Sequence, residues 1–218
     1  MSTALTTLKN RNFGIYTAGN TLSLIGMWAQ RIAVGVLIWE LTGSAAWLGT
    51  VAVAEFIPIF FLSPLGGVLA DRYDRRRILM VCLSVSLVQA LLLCVFTAFD
   101  IITPEMVVVL SAVAGAVFAL NTTARLTLVP MMLPRELLGS AIAITSVIFN
   151  IARFIGPFVG GLIIAQFGIA TAFGFNSLSF VSILVALAVL DLPAFEPKPR
   201  KDGHPILHML EEFVDGCR

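Results

Sequence analysis

The stretch that decides the fold is Gly67-Val-Leu-Ala-Asp71-Arg72-Tyr-Asp74-Arg75-Arg76-Arg77. It holds six charges, four of them arginine, and separates two apolar runs at about 45–70 and 78–98. Each run is longer than the ~20 residues that a helix needs to cross a bilayer. Short loops rich in Lys and Arg remain on the cytoplasmic side of a membrane. The stretch therefore predicts a tight cytoplasmic turn between two membrane-spanning helices.

Apolar runs of this kind recur along the whole chain. Its residues are 58% hydrophobic and 12% charged, whereas a typical soluble domain is about 25% charged. This composition excludes a soluble core. Six membrane-spanning helices are predicted, at about 12–41, 45–70, 78–98, 106–124, 137–167 and 170–190.

Basic residues set the predicted orientation. With six crossings, the Lys and Arg residues of the loops and tails as far as Lys201 all fall on one side. That asymmetry predicts a multi-pass protein of a cell membrane, in bacteria the cytoplasmic membrane, with both ends in the cytoplasm. It excludes five or seven crossings.

Three regions follow from these boundaries. Residues 1–11 form a short basic cytoplasmic arm, 12–190 the transmembrane bundle, and 191–218 a cytoplasmic linker rich in Pro and charge. Apolar residues at helical spacing in 205–214 predict a short amphipathic helix along the inner surface. The alternative for that segment is a frayed tail.

A repeated segment predicts internal symmetry. Residues 63–70 and 156–163 each contain Pro, one or two further residues, Gly-Gly and an aliphatic pair. The first segment closes the second predicted helix, and the other lies in the fifth, which runs the opposite way. The fold class is therefore an all-α membrane protein with six helices in a 3+3 inverted repeat, an arrangement found in secondary transporters. Chance recurrence of Gly and Pro is the alternative.

Three charges lie inside predicted helices. Arg31, Glu55 and Arg153 each stand in mid-helix, where a charge costs about 2.5–3.5 kcal/mol and usually marks a pathway or a buried pair. Arg31 and Glu55 are both ~15 Å from the outer side at 1.5 Å per residue. Their helices are antiparallel neighbours, so an Arg31–Glu55 pair is possible.

Each of these charges has two alternative interpretations, one functional and one structural. Glu55 is a candidate proton carrier held near Arg31, and the alternative is a static pair that locks two helices together. Arg31 and Arg153 are candidates for recognising an anionic or polar group. The alternative is that they form structural hydrogen bonds to helix carbonyls. The candidate polar residues of a cavity are Asn20, Gln30 and Asn150.

Small residues on the fifth predicted helix indicate a close helix contact. Gly156 and Gly160 lie four residues apart, which allows another helix to approach. Pro157 removes one backbone hydrogen bond and permits a bend. We consider these three residues a candidate hinge, with plain packing as the alternative.

Enzyme chemistry is not predicted. The sequence has no nucleophile–base constellation, no phosphate-binding Gly loop and no metal-ligand spacing. His204 and His208 lack a third ligand, and the three cysteines show no disulfide or metal pattern. We therefore expect no cofactor, no metal and no nucleic-acid partner.

The opening stretch resembles the signature loop between helices 2 and 3 of the major facilitator superfamily. Asp74 departs from the family pattern, which often has a second Gly at this position. With Asp74 the loop resembles that of the drug-antiporter and enterobactin-exporter-like branch, which is also called the transmembrane secretion effectors. Gly156-Pro157 also resembles, in part, the antiporter motif of drug exporters. Further branch matches lie at 25–31, 39–44, 133–136 and 155–157. The loop matches are Gly67, Leu69, Ala70, Asp71, Arg72, Arg75, Arg76 and Arg77.

The resemblance implies several properties beyond the residues themselves. It implies that Gly67, Asp71, Arg72, Arg75 and Arg76 form a gating loop whose charge network latches two halves together. It also implies that the first, second, fourth and fifth helices line a central cavity, while the third and sixth face outward.

The resemblance finally implies half of a twelve-helix protein. The chain is then the N-terminal half of a proton-coupled exporter of a drug-like or siderophore-like small molecule, working by alternating access in the bilayer. Its partners would be the substrate, protons and either a missing C-terminal half or a second copy of the chain. The alternative is a truncated, non-transporting fragment or a regulatory half that pairs with a full transporter.

Overall fold

The computed structural model describes residues 3–191, with only the backbone for residues 68–72. The predicted amphipathic helix at 205–214 lies outside the described residues. Within them the chain forms α-helices and two 3-10 turns, Val129–Met131 and Arg135–Leu137, and no strand. The helices are α1 (Thr3–Lys9), α2 (Arg11–Thr42), α3 (Ala45–Arg72), α4 (Arg75–Ala98), α5 (Pro104–Leu128), α6 (Leu138–Phe167) and α7 (Ile169–Val189).

Helices α2 to α7 are the six predicted membrane spans. Each contains a segment long and apolar enough to cross a bilayer. Their bounds agree with the predicted ones to within a few residues, and α1 occupies most of the predicted arm, packed against α2 and α6.

Local sequence explains where the helices begin and end. The side chain of Asn10 accepts a hydrogen bond from the backbone N–H of Phe13 at the start of α2, as N-cap residues do. At the end of α2, Gly43 adopts φ +60° and its N–H donates to the carbonyl of Trp39 at 2.8 Å. A residue with a Cβ is disfavoured in that conformation, so Gly43 ends the helix cleanly.

Two observed boundaries differ by three or four residues from the approximate predicted ones. Helix α4 begins at Arg75 rather than Ile78, because the side chain of Asp74 accepts a bond from the backbone N–H of Arg76 and caps the helix. Helix α5 continues to Leu128 instead of ending at Ala124. Arg125, predicted to begin a loop, is therefore a helix residue.

The packing of the six helices is symmetric. Helix α3 packs chiefly on α5, and its equivalent α6 packs on α2. Helix α2 packs on α7, and its equivalent α5 packs on α4. Helices α4 and α7, which are equivalent to each other, are also in contact. Exchanging α2–α4 with α5–α7 therefore reproduces the main contacts. Because successive crossings alternate in direction, equivalent helices run oppositely. This is the predicted 3+3 inverted repeat.

The repeated Gly-Gly segment makes equivalent contacts in both units. A Cβ added to Gly66 on α3 would lie 2.7 Å from the hydroxyl of Thr123 on α5. A Cβ on Gly160 of α6 would lie 2.8 Å from the Cα of Ala29 on α2. Glycine at these positions allows the helix backbones to approach closely.

Apolar packing fills both ends of the bundle. One buried cluster includes Phe13, Tyr16 and Phe180, and the other includes Ile38 and Phe173. Large apolar side chains also point outward, above all on α3 and α6, where they include Phe56, Phe60, Phe61, Phe154 and Phe158. Such a surface is unfavourable in water and suits a bilayer or a further helical bundle.

Candidate functional site

A cavity of about 320 Å³ lies among the helices of the bundle. Its wall combines apolar side chains with hydroxyl, amide and charged groups, as small-molecule sites commonly do. All six long helices contribute to it. Its polar lining residues are Ser23, Gln30, Arg31, Glu55, Ser86, Gln89, Ser111, Asn121, Thr122, Arg125 and Asn176.

An ion pair stands in this wall. The guanidinium of Arg31 on α2 donates a hydrogen bond to the carboxylate of Glu55 on α3. The predicted contact is therefore present, as the equal depth of the two residues required. The Arg31 side chain is 47% exposed and that of Glu55 is 25% exposed, so both remain accessible from the cavity.

Trp28 brings the third intramembrane charge to the same place. The Cζ atom of Arg31 lies 5.1 Å from the centroid of the Trp28 ring, and that of Arg153 on α6 lies 5.7 Å from it. These distances allow cation–π attraction. Phe149 contacts the same indole edge-to-face, with centroids 6.0 Å apart. Arg31, Glu55 and Arg153 thus form one group around Trp28, although Arg153 itself lies outside the cavity wall.

A chain of amides crosses the bundle beside the cavity. The side chain of Asn176 on α7 donates to Gln30 Oε1 at 2.8 Å, and Gln30 donates to Gln89 Oε1 on α4 at 3.1 Å. Gln89 in turn donates to the carbonyl of Leu110 on α5 at 3.2 Å. Bonds of this kind join helices within a membrane. Gln30 is thus in the wall, as predicted.

Gln89 and Asn176 were missed at the sequence level. Each is the single side-chain amide of its helix, and an amide within an apolar run was the available signal. Both residues line the cavity of this bundle, so the third and sixth membrane helices, α4 and α7, contribute to its wall. The central cavity that the resemblance implies for a twelve-helix protein stays a prediction.

Two predicted cavity residues lie elsewhere. Asn20 on α2 is buried outside the cavity wall, and its Oδ1 has no hydrogen-bond partner among the described residues. Asn150 is exposed and donates to the carbonyl of Ser146 on its own helix at 2.8 Å. Phe149, its neighbour in sequence, occupies the wall instead.

The candidate hinge on α6 is a tight contact with α2. A Cβ on Gly156 would lie 2.4 Å from the Cβ of Trp28, and a Cβ on Gly160 would lie 2.8 Å from the Cα of Ala29. Pro157 lies within the helix between them. These glycines therefore position Trp28 against α6.

Arg125 is the cavity residue that the sequence reading placed in a loop. It lies near the end of α5, half-buried, and contributes to the wall. Arg125 lies nearest to one end of the bundle, which we call the basic end. This end also carries Arg75, Arg76, Arg77 and Arg135.

Comparison with known proteins identifies the family. The family described as transmembrane secretion effector matches residues 2–205, nearly the whole chain. The chain belongs to this family. The recognition of a major facilitator protein of the secretion-effector branch is thereby confirmed, and the chain is a multi-pass membrane protein.

Two curated relatives extend the comparison. The staphyloferrin A transporter of Staphylococcus aureus (strain NCTC 8325 / PS 47) is 28% identical over 174 residues, which are 79% of this chain and 44% of the relative. The enterobactin exporter EntS of Escherichia coli O1:K1 / APEC is 28% identical over 192 residues, 88% of this chain and 46% of the relative. The chain spans about half the length of the curated relatives it matches.

An arginine of the signature stretch forms hydrogen bonds that connect α4 to the end of α7. Arg76 donates to the carbonyls of Ala188 and Leu190 at 2.7 and 3.2 Å, which satisfies groups left free at the end of α7. Arg75 donates to the sulfur of Met131 at 3.5 Å. A Cβ added to Gly67 would meet no described atom within 4 Å. The side chains of Asp71 and Arg72 lie outside the described residues.

Asp74 accounts for the departure from the family pattern. Its φ of −59° and ψ of 116° are accessible to any residue, so no glycine is needed at this position. A carboxylate here also caps α4. The acidic residue therefore gives the turn a helix N-cap that glycine could not supply.

Proposed function

We propose that this chain is the N-terminal half of a secondary active transporter. The transporter exports a drug-like or siderophore-like small molecule by alternating access and is coupled to protons. The observation that carries the proposal is the Arg31–Glu55 pair in the wall of a cavity inside a six-helix inverted repeat. Inverted repeats of this kind place substrate and ion sites at the meeting of the two units.

Two features support a small organic substrate. The cavity has the size and the mixed polar and apolar wall of small-molecule sites. The two relatives reported above are named as a siderophore transporter and a siderophore exporter. A substrate of that class, moved without chemical change, fits this wall better than an enzymatic reaction does.

Glu55 supports proton coupling. It is the acid of the cavity wall among the described residues, and its carboxylate is accessible from the cavity. Protonation removes the negative charge that holds Arg31. The released guanidinium then becomes available to other groups in the cavity, which links proton binding to a change in the site.

A partner bundle completes the proposal. The chain covers less than half of either relative, and the outward-facing aromatic side chains of α3 and α6 provide a surface for a second half or a second copy. In the proposed orientation both ends are cytoplasmic, and the gating loop closes that side of the transporter.

Complementation of secretion tests this proposal. The chain, together with any in-frame continuation of its coding sequence, is expressed in a siderophore-producing strain that lacks its own exporter, and secreted siderophore is measured. We expect secretion to be restored, to be lost in Glu55→Gln, and to persist in the control Glu40→Gln, an exposed acid at the far end of α2. Absence of secretion at normal membrane levels of the wild-type protein contradicts the proposal.

A further inference from the structure

Arg125 stands at a different level of the cavity from the Arg31–Glu55 pair. Gly115 on α5 packs against the backbone carbonyl of Glu55, and Arg125 follows ten residues later. At 1.5 Å per residue this places Arg125 ~15 Å nearer the basic end. Both residues line the same cavity, which therefore has two charged levels.

The inverted repeat explains why this arginine is there. Gly160 lies 94 residues after Gly66, and Arg125 lies 94 residues after Arg31. The two arginines therefore occupy equivalent places on the equivalent helices α2 and α5. Leu24 and Phe118, and likewise Met27 and Asn121, are related by the same interval, and all four line the cavity.

The two units of the repeat differ at the position of Glu55. The residue 94 positions after Glu55 is Phe149, which lines the cavity as Glu55 does. Arg31 consequently has a carboxylate partner, whereas Arg125 has no ion pair within the described residues. Among the described residues of the wall, the charges therefore sum to one positive charge, located at Arg125.

The chemistry of a guanidinium indicates what Arg125 binds. Its planar set of N–H donors matches the two oxygens of a carboxylate. A guanidinium left without an anionic partner is unfavourable within a membrane. The half-buried Arg125 in the cavity wall is therefore suited to an anionic group.

We propose that Arg125 is an anion-binding residue of the cavity. Its ligand is the single carboxylate, or equivalent anionic group, of the transported molecule. The apolar body of that molecule extends from Arg125 along the wall toward the Arg31–Glu55 pair. This inference rests on the proposed function, because it assigns the charge and orientation of the substrate.

Binding of a matched pair of probes tests the assignment. Dansyl-glycine carries one carboxylate on an apolar fluorophore, and dansyl-glycinamide is its neutral counterpart. Their affinities are measured by fluorescence for the full chain in phosphatidylcholine nanodiscs. We expect the wild-type protein to bind the carboxylate about tenfold more tightly than the amide, a difference typical of one charge-assisted contact.

Variants locate the preference. Arg125→Gln should reduce it to less than about twofold, and Arg125→Lys should retain only part of it, because the charge is kept but the planar pair of donors is lost. Phe149→Glu supplies the acid that the repeat lacks, and it should abolish the preference with Arg125 still present. Arg135→Gln is the matched control at the basic end, since this exposed residue lies outside the cavity, and it should behave as wild type.

Three results overturn the inference. They are equal affinity of the wild-type protein for both probes, no binding of either, and a preference that survives in both Arg125→Gln and Phe149→Glu. A preference that disappears when phosphatidylglycerol is added would assign Arg125 to a lipid headgroup, which also overturns it. Binding of the probes requires no transport. If secretion fails while the preference for the carboxylate probe is intact, only the proposed function is contradicted.

Discussion

Arg31 on α2 touches both Glu55 on α3 and the ring of Trp28, one helical turn away on its own helix. Trp28 in turn is held against α6 by Gly156 and carries Arg153 over its ring. Glu55 is therefore connected through Arg31 and Trp28 to the contact between α2 and α6. In the proposed mechanism, this connection relates the protonation of one acid to the packing of two helices from different units of the repeat.

Close packing at Gly156 is predicted to be essential for stability. The added methyl group in Gly156→Ala would lie 2.4 Å from the Cβ of Trp28, and overpacking of this kind costs about 1–3 kcal/mol. Gly161→Ala is the matched control, because a Cβ there meets nothing within 4 Å. Thermal unfolding in detergent should show a clear loss for the first variant and none for the second. Equal stability of the two variants would refute the tight α2–α6 contact.

Arg76 is predicted to stabilise the basic end. Arg76→Gln removes a charged donor from the carbonyls of Ala188 and Leu190, and such bonds contribute about 1–3 kcal/mol. Arg77→Gln serves as control, since that side chain is 86% exposed and stands 3.8 Å from Asp74. Hydrogen exchange at the end of α7 should increase only in Arg76→Gln. Unchanged exchange there would show that the bond contributes nothing.

The orientation of the bundle is predicted to place the signature loop in the cytoplasm. In a cysteine-free background, Tyr73→Cys lies in the turn between α3 and α4, and Ile101→Cys lies in the turn between α4 and α5; both native side chains are exposed. A membrane-impermeant maleimide added to intact cells should label position 101 and leave position 73 unlabelled. Labelling at 73 alone would invert the topology, since basic loops would then be outside.

Much of this fold follows from the sequence alone. Long apolar runs specify membrane helices because backbone groups in lipid must bond within the helix. The Arg31–Glu55 contact also followed, since a short turn forces α2 and α3 to be antiparallel neighbours and equal distances from that turn give equal depth. These inferences depend only on helix geometry within a single hairpin.

The rest of the site depends on contacts that are distant in sequence. Gln89 and Asn176 meet Gln30 only when α2, α4 and α7 have packed together, and no periodicity within one helix reveals that meeting. Arg125 was assigned to a loop because arginines are common at the ends of membrane helices. Asn20 lies on the same helix as Gln30 yet beyond the cavity, since the cavity covers only part of α2.

Proton movement through the proposed transporter, reconstituted in liposomes, tests the central claim most directly. The siderophore whose secretion the chain restores is added to proteoliposomes loaded with a pH-sensitive dye, and the rate of the internal pH change is recorded. The account predicts substrate-driven proton movement in the wild-type protein and in Glu40→Gln. In Glu55→Gln the rate should fall about tenfold or more, the effect of removing one essential group. A proton flux in Glu55→Gln equal to that of the wild-type protein would contradict the claim that this acid, beside Arg31, couples transport to protons.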